Sequence, residues 1–144
     1  MKALVLNSGS SSIKYQLFRC DDWESLASGA ITRIGEQEGA LARRWLNAQG
    51  EAESSKETLT VADHHAGLEC IVSGLRKTGA LGDVTQRRAV GHRVVHGGEA
   101  FHCPTIVDDP VVAAIRDTIP LAPLHYPANL DGIVVARQSL EAVA

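Results

Sequence analysis

The stretch Asn7-Ser-Gly-Ser-Ser-Ser-Ile-Lys14 crowds one amide, four hydroxyls, one glycine and one ammonium into eight residues, directly after an apolar run. Amides freed by glycine, hydroxyl donors and a cation together make a nest for phosphate oxygens. This is not the Walker loop, which needs Gly-Lys-Ser/Thr opening a helix, because Lys14 lies five residues after Gly9 inside a strand pattern. The phosphate would therefore sit in a hairpin turn, with Ser10, Ser12 and Lys14 as its contacts. The same composition also serves a long hairpin turn that binds nothing, with Lys14 as a solvated strand residue.

A second group is His92-Arg-Val-Val-His-Gly-Gly-Glu99, followed by His102 and Cys103. Two His at i and i+4 suit zinc on a helix. In a strand they stand about 13 Å apart, beyond the reach of one metal, so no zinc site is expected. The period of two sets Arg93 and Val95 on one face, with His92, Val94 and His96 on the other. An Arg beside a small apolar residue suits a short carboxylate: the guanidinium grips its two oxygens and the valine touches its methyl. A structural ion pair would use Arg93 equally well.

The elements around these groups follow from periodicity. Met1–Leu6 is apolar, Ser8–Ser12 is a turn cluster, and Ile13, Tyr15 and Leu17 alternate with Lys14, Gln16 and Phe18, which predicts strand, turn, strand. Alternation over Leu26–Ile34 and Ala40–Asn47, with a loop at Gly35–Gly39, extends this to an antiparallel meander. Polar Glu51–Glu57 reads as a surface loop. Asp63 caps a helix carrying Leu68, Ile71, Val72 and Leu75, which Gly79 ends. β-Branched Ala89–His96 reads as a strand. Asp109 before Pro110 reads as the cap of a further helix that Pro120 stops, and another begins at Pro127 with Leu130, Ile133 and Val134 on its buried side. The pattern is an α/β domain.

Composition excludes several classes. With 144 residues and 44% hydrophobic content, one core is expected, and hence one domain. Lys plus Arg is 14 against 17 Asp plus Glu, a net charge of −3 with no basic block, so nucleic acid is not an expected partner. The longest aliphatic runs are four residues, against about 20 for a membrane span. The amino-terminal apolar stretch is shorter than the roughly 7–15 residues of a signal-peptide core, which predicts a cytoplasmic protein. Cys20, Cys70 and Cys103 form no close pair and are expected to be reduced.

Three separated stretches resemble the acetate kinase family in the right order: Lys2 to Phe18 around the serine turn, Gly91-His-Arg-Val-Val-His-Gly-Gly-Glu99, and Leu121-Ala-Pro-Leu-His-Tyr-Pro-Ala-Asn-Leu-Asp-Gly-Ile133. The resemblance runs from Lys2 onward, although Asp21–Gln86 carries little of it. It implies an actin-like ATPase (ribonuclease H-like) fold with a mixed five-stranded sheet, and reversible phosphoryl transfer from ATP to acetate. By resemblance, Asn7 lies near magnesium and the transferring phosphate, and Lys14, with Ser10 and Ser12, lies in the nucleotide phosphate site. Arg93 binds acetate, Val95 and Leu124 line its methyl pocket, and His125 stands near the reacting groups. The resemblance also implies Mg2+, ATP or ADP and a small carboxylic acid as ligands, no membrane, and a homodimeric full-length enzyme.

The sequence departs from the family in two respects. Tyr126 stands where the pattern has Asn, which bears on substrate length, and propionate or butyrate is the alternative acid. Members also have roughly two domains of this size. The family's Phe-Asp-Thr-Ala-Phe-His segment with the catalytic Asp, its second Arg, its magnesium-side Glu and its adenosine-binding domain have no counterpart here. Residues 1–144 are thus expected to be the amino-terminal domain, inactive alone; a noncatalytic ligand-binding module is the reading from another class.

Overall fold

Alternation of apolar and polar side chains builds β1 (Lys2–Ser8), β2 (Ile13–Arg19), β3 (Ser25–Thr32) and β4 (Gly39–Leu46), and β5 (Ala52–Leu59) completes an antiparallel meander of five strands. The helix α1 (His64–Lys77) follows, and β6 (Arg88–His92) then joins β1 in parallel, for a sheet order β5-β4-β3-β2-β1-β6. Two further helices, α2 (Asp109–Asp117) and α3 (Tyr126–Leu140), are separated by a 3-10 turn at Ile119–Leu121. This computed structural model describes residues 1–82, 88–94, 103–121, 123 and 126–140.

The sheet is mixed, as expected, but it has six strands rather than five. The extra strand is β5, which falls on the segment expected to be a loop. Its side chains are almost all exposed, and it forms the sheet edge. Ladder hydrogen bonds need no apolar side chains, and a charged edge strand discourages pairing with other chains. Its carboxylates are used locally: Glu57 accepts from Arg43 at 2.7 Å and Glu53 from Asn47 at 3.0 Å.

Register decides which side chains share a face. Leu4 pairs with Leu17, Leu6 with Tyr15, and Ser8 with Ile13, and these continue to Ala27, Gly29 and Ile31 on β3. This face is covered by α1 through Leu68, Ile71, Val72 and Leu75. The helix starts as predicted: the Asp63 carboxylate accepts from the Ala66 amide at 2.8 Å, and Gly79 just beyond the end takes a left-handed φ of 75°. Ile13 is 0% exposed and lies so close to Gly67 of α1 that a Cβ there would meet it at 3.0 Å. Ile13→Ala is expected to cost about 2–5 kcal/mol in urea denaturation. A loss well under that range would mean that α1 settles onto the sheet.

Helix α3 ties two cores together. Its Val135 and Ala136 join the sheet–α1 core, whereas Leu130 and Ile133 pack with Val112 and Ile115 of α2. Val134, expected on the buried side, is only half-buried. The α2 cap is Asp108, one residue earlier than expected, with its carboxylate accepting from the Val111 amide at 3.0 Å. Pro110 is thereby the second helical residue, where its missing N–H is still harmless. The helix ends at Asp117, capped by Thr118, before Pro120 is reached.

Candidate functional site

The serine cluster is the β1–β2 hairpin, and its backbone is held from several sides. The Gly9 amide donates to the Ser12 carbonyl at 2.7 Å and closes the turn. His64, the first residue of α1, donates from Nε2 to the Gly9 carbonyl at 2.7 Å. The Ile34 amide, in the β3–β4 loop, donates to the Ser11 carbonyl at 2.9 Å. From α3, the Asn129 amide group donates to the Ser8 carbonyl at 3.0 Å. Ser10 and Ser11 stand exposed at the tip, and Ser12 is half-buried.

Three of the expected site residues fall in one row. Asn7 on β1 is the register partner of Lys14 on β2. On the other side of β1, Leu6 pairs with His92, and the Arg93 amide donates to the Leu6 carbonyl at 3.1 Å. Carried on by one residue, this register sets Arg93 beside Asn7. Lys14, Asn7 and Arg93 are all exposed; Lys14 and Asn7 stand on adjacent strands about 4.8 Å apart, and Arg93 lies just beyond the end of β6. They sit at the carboxyl ends of the parallel pair β1 and β6, the end of an open α/β sheet where ligands bind. The expected alternation holds as far as the described residues go, since Val94 packs toward the α2–α3 core and Arg93 is exposed. The strand itself ends at His92, earlier than expected. Val95, Leu124 and His125 lie outside the described residues, as do His96 and the Tyr126 side chain.

The helices pack on the opposite face of the sheet, and over β2–β5 the face that carries Lys14 forms an open trough of about 610 Å³. Its floor includes the small side chains Ser28, Ala30, Ala42 and Ser54, and the register sets the cations Lys14, Arg44 and Lys56 on this same face. No Asp or Glu of β1–β5 shares this face, because Glu53 and Glu57 fall opposite Trp45 and Leu41, on the other side. The surroundings of Lys14 therefore favour anions. Asn7, Ser10 and Ser11 are exposed, neutral oxygen-bearing residues on and beside the hairpin. Such a set suits a magnesium ion already carried by phosphate oxygens, since Mg2+ keeps most of its water and phosphate ligands. Among the described residues there is no cluster of three or more His, Cys, Asp or Glu that could hold a metal.

Beneath the hairpin lies a polar node that periodicity does not reveal. His92 Nδ1 lies 2.8 Å from the Arg93 carbonyl, and its Nε2 lies 3.2 Å from Ser8 Oγ. A carbonyl only accepts, so Nδ1 carries the proton and Ser8 donates to Nε2. Burial pulls the His92 pKa down to about 4, against the Arg93 carbonyl, which favours the charged ring. A Ser–His pair of this kind has the geometry of an activated nucleophile. Ser8, however, is 2% exposed, and Gly132 of α3 lies so close that a Cβ there would run into the His92 ring. No substrate reaches Oγ, so the node is structural. Asn129 is 0% exposed, and a polar residue inside the apolar stripe Ala128–Leu130 is the one sign by which the sequence marks it. His64 carries no such sign.

Cys20 and Cys70 are half-buried and Cys103 is exposed, and none of the three is paired in the fold. No helix among the described residues is long and apolar enough to cross a membrane.

Comparison with known proteins adds an independent line. The model of the Acetokinase family matches residues 2–144. The acetate kinase of Syntrophobacter fumaroxidans is 48% identical over 143 residues, covering 95% of this chain and 34% of that protein. The acetate kinase of Streptomyces griseus is 47% identical over 136 residues, covering 94% of the chain and 33% of that protein. The chain thus spans about a third of the length of these curated relatives. Among solved structures, Porphyromonas gingivalis acetate kinase superposes with a TM-score of 0.79 at 37% identity, over 99% of this chain and 35% of that one. A propionate kinase from Francisella tularensis gives a TM-score of 0.78 at 30% identity, over 95% and 33%. The mixed sheet with its covering helices is consistent with an actin-like ATPase domain.

Proposed function

Because the chain belongs to the acetokinase family, we propose that it forms the acid- and phosphate-binding half of an acetate kinase, which transfers a phosphoryl group reversibly from ATP to acetate. The observation that carries this reading is the exposed row Lys14, Asn7, Arg93 at the carboxyl ends of β1 and β6, beside the tethered serine hairpin. An acetate oxygen attacks the terminal phosphorus, the bond to the bridging oxygen breaks, and its electron pair leaves with ADP. Little covalent work is left for the protein, so positioning and charge neutralisation dominate.

Arg93 is proposed to grip the carboxylate, Val95 and Leu124 to enclose the methyl, and His125 to donate a hydrogen bond to the transferring group. Lys14, Ser10 and Ser12 are proposed to hold nucleotide phosphate oxygens. A phosphate-borne Mg2+ would be met by Asn7 and would supply charge neutralisation. The catalytic Asp, the nucleotide domain and the homodimer contact belong, on this reading, to the part of the relatives beyond the shared third. Cytoplasmic location is part of the same proposal.

The test is acetyl phosphate formation from ATP, magnesium and acetate, measured for the chain alone and for the chain joined to the remaining two thirds of the Syntrophobacter fumaroxidans relative. The joined protein is expected to turn over with acetate preferred to propionate, and the chain alone to be silent. A joined protein that folds and makes no acetyl phosphate would overturn the assignment. Preference for propionate would move it to the longer acid, the activity named for the Francisella tularensis neighbour.

A further inference from the structure

Three hairpin carbonyls are drawn into the body of the domain, Ser8 by Asn129, Gly9 by His64 and Ser11 by the Ile34 amide. In a trans peptide the carbonyl of one residue and the N–H of the next point in opposite directions. Holding the Gly9 carbonyl against α1 therefore turns the Ser10 N–H outward. Holding the Ser11 carbonyl against the β3–β4 loop does the same for the Ser12 N–H. Both directed amides belong to residues whose hydroxyls are already assigned to phosphate, and Lys14 follows on β2.

We propose that His64 is a positioning residue for phosphate binding: by donating from Nε2 to the Gly9 carbonyl, it holds the serine hairpin with its Ser10 and Ser12 amides aimed at the anion. Asn129 anchors the base of the same hairpin from α3. The inference rests on the reading of the hairpin as the phosphate site. It adds a residue from α1 that touches neither substrate nor cofactor.

The hairpin is a four-residue turn, Gly9 to Ser12, between paired strands. Without tethers such a turn samples peptide orientations in which one or both amides face inward. Each such orientation lowers the competent fraction and weakens apparent affinity in proportion. One hydrogen bond of this type shifts such an equilibrium by roughly tenfold at most.

The experiment is a titration of the isotopically labelled chain with inorganic triphosphate, following the Ser10 and Ser12 amide resonances. The parent chain is expected to saturate with both amides moving. His64→Ala should raise Kd by roughly tenfold, and His64→Gln, whose amide can donate to the same carbonyl, should recover most of the affinity. Asp63→Ala removes the cap of the same helix and so loosens α1 without releasing the Gly9 carbonyl, and it should bind within about twofold of the parent. Equal binding by parent and His64→Ala overturns the positioning role alone. Equal weakening by Asp63→Ala also overturns it, since general loosening of α1 would then suffice. A parent chain whose hairpin amides never respond to triphosphate overturns the phosphate reading and this inference with it.

Discussion

In the chain joined to the remainder of its relative, Arg93→Ala is expected to reduce acetyl phosphate formation by roughly 10²–10³-fold, the usual loss when one charge-stabilising contact to a transition state is removed. The substitution is clean because the backbone of Arg93 is fixed independently of its side chain. Its amide donates to Leu6 and its carbonyl accepts from His92, whereas the side chain is exposed. Stability should change by no more than about 0.5 kcal/mol, as for ordinary surface positions. ATP binding, assigned to the hairpin and the other domain, should be nearly unaffected. Arg93→Lys should restore only part of the activity, because an ammonium cannot form the planar two-pronged grip. Full turnover by the alanine variant would remove Arg93 from the acid site.

The second large effect is thermodynamic. His92 titrates near 4 in the fold, mainly because it is buried, against an ordinary value of 6.5. Between these values the unfolded chain takes up a proton that the folded chain refuses. Stability is therefore lost as the pH falls from about 6.5 toward 4, by roughly 3 kcal/mol in all. Above pH 7 the term vanishes, since His92 is neutral in both states. Denaturation midpoints of the parent and of His92→Gln, measured between pH 4 and 7, give the contribution as the difference in slope. Gln lowers stability at pH 7 by disturbing the Ser8 contact, yet its profile should be flatter through the window. Identical slopes would show that His92 is charged, or solvated, in the fold.

Some of this architecture is written locally. Ile13, Tyr15 and Leu17 alternate because they face one core, so β2 and its partners are legible from side-chain chemistry alone. Asp63 marks the start of α1 and Gly79 its end, since capping and a positive φ are properties of single residues. The serine turn and Lys14 have a composition that suits an anion site, and the resemblance to acetate kinases points to Arg93 by its place in the sequence alone.

Other features have no local signature. The strand β5 is polar on both faces; only its ladder to β4 makes it a strand, and a ladder is a property of two segments. The α2 cap moved from Asp109 to Asp108 because either carboxylate could serve, and the helix axis chooses between them. That Lys14, Asn7 and Arg93 form a row follows from the β2–β1–β6 register, which joins positions 79 residues apart in the chain, from Lys14 to Arg93. The grip of His64 on Gly9 and of Asn129 on Ser8 spans 55 and 121 residues. Residue type can state which atoms are able to donate or accept. Only the packing of α1 and α3 against one face of the sheet decides which donor meets which carbonyl, and thereby which way the hairpin amides point.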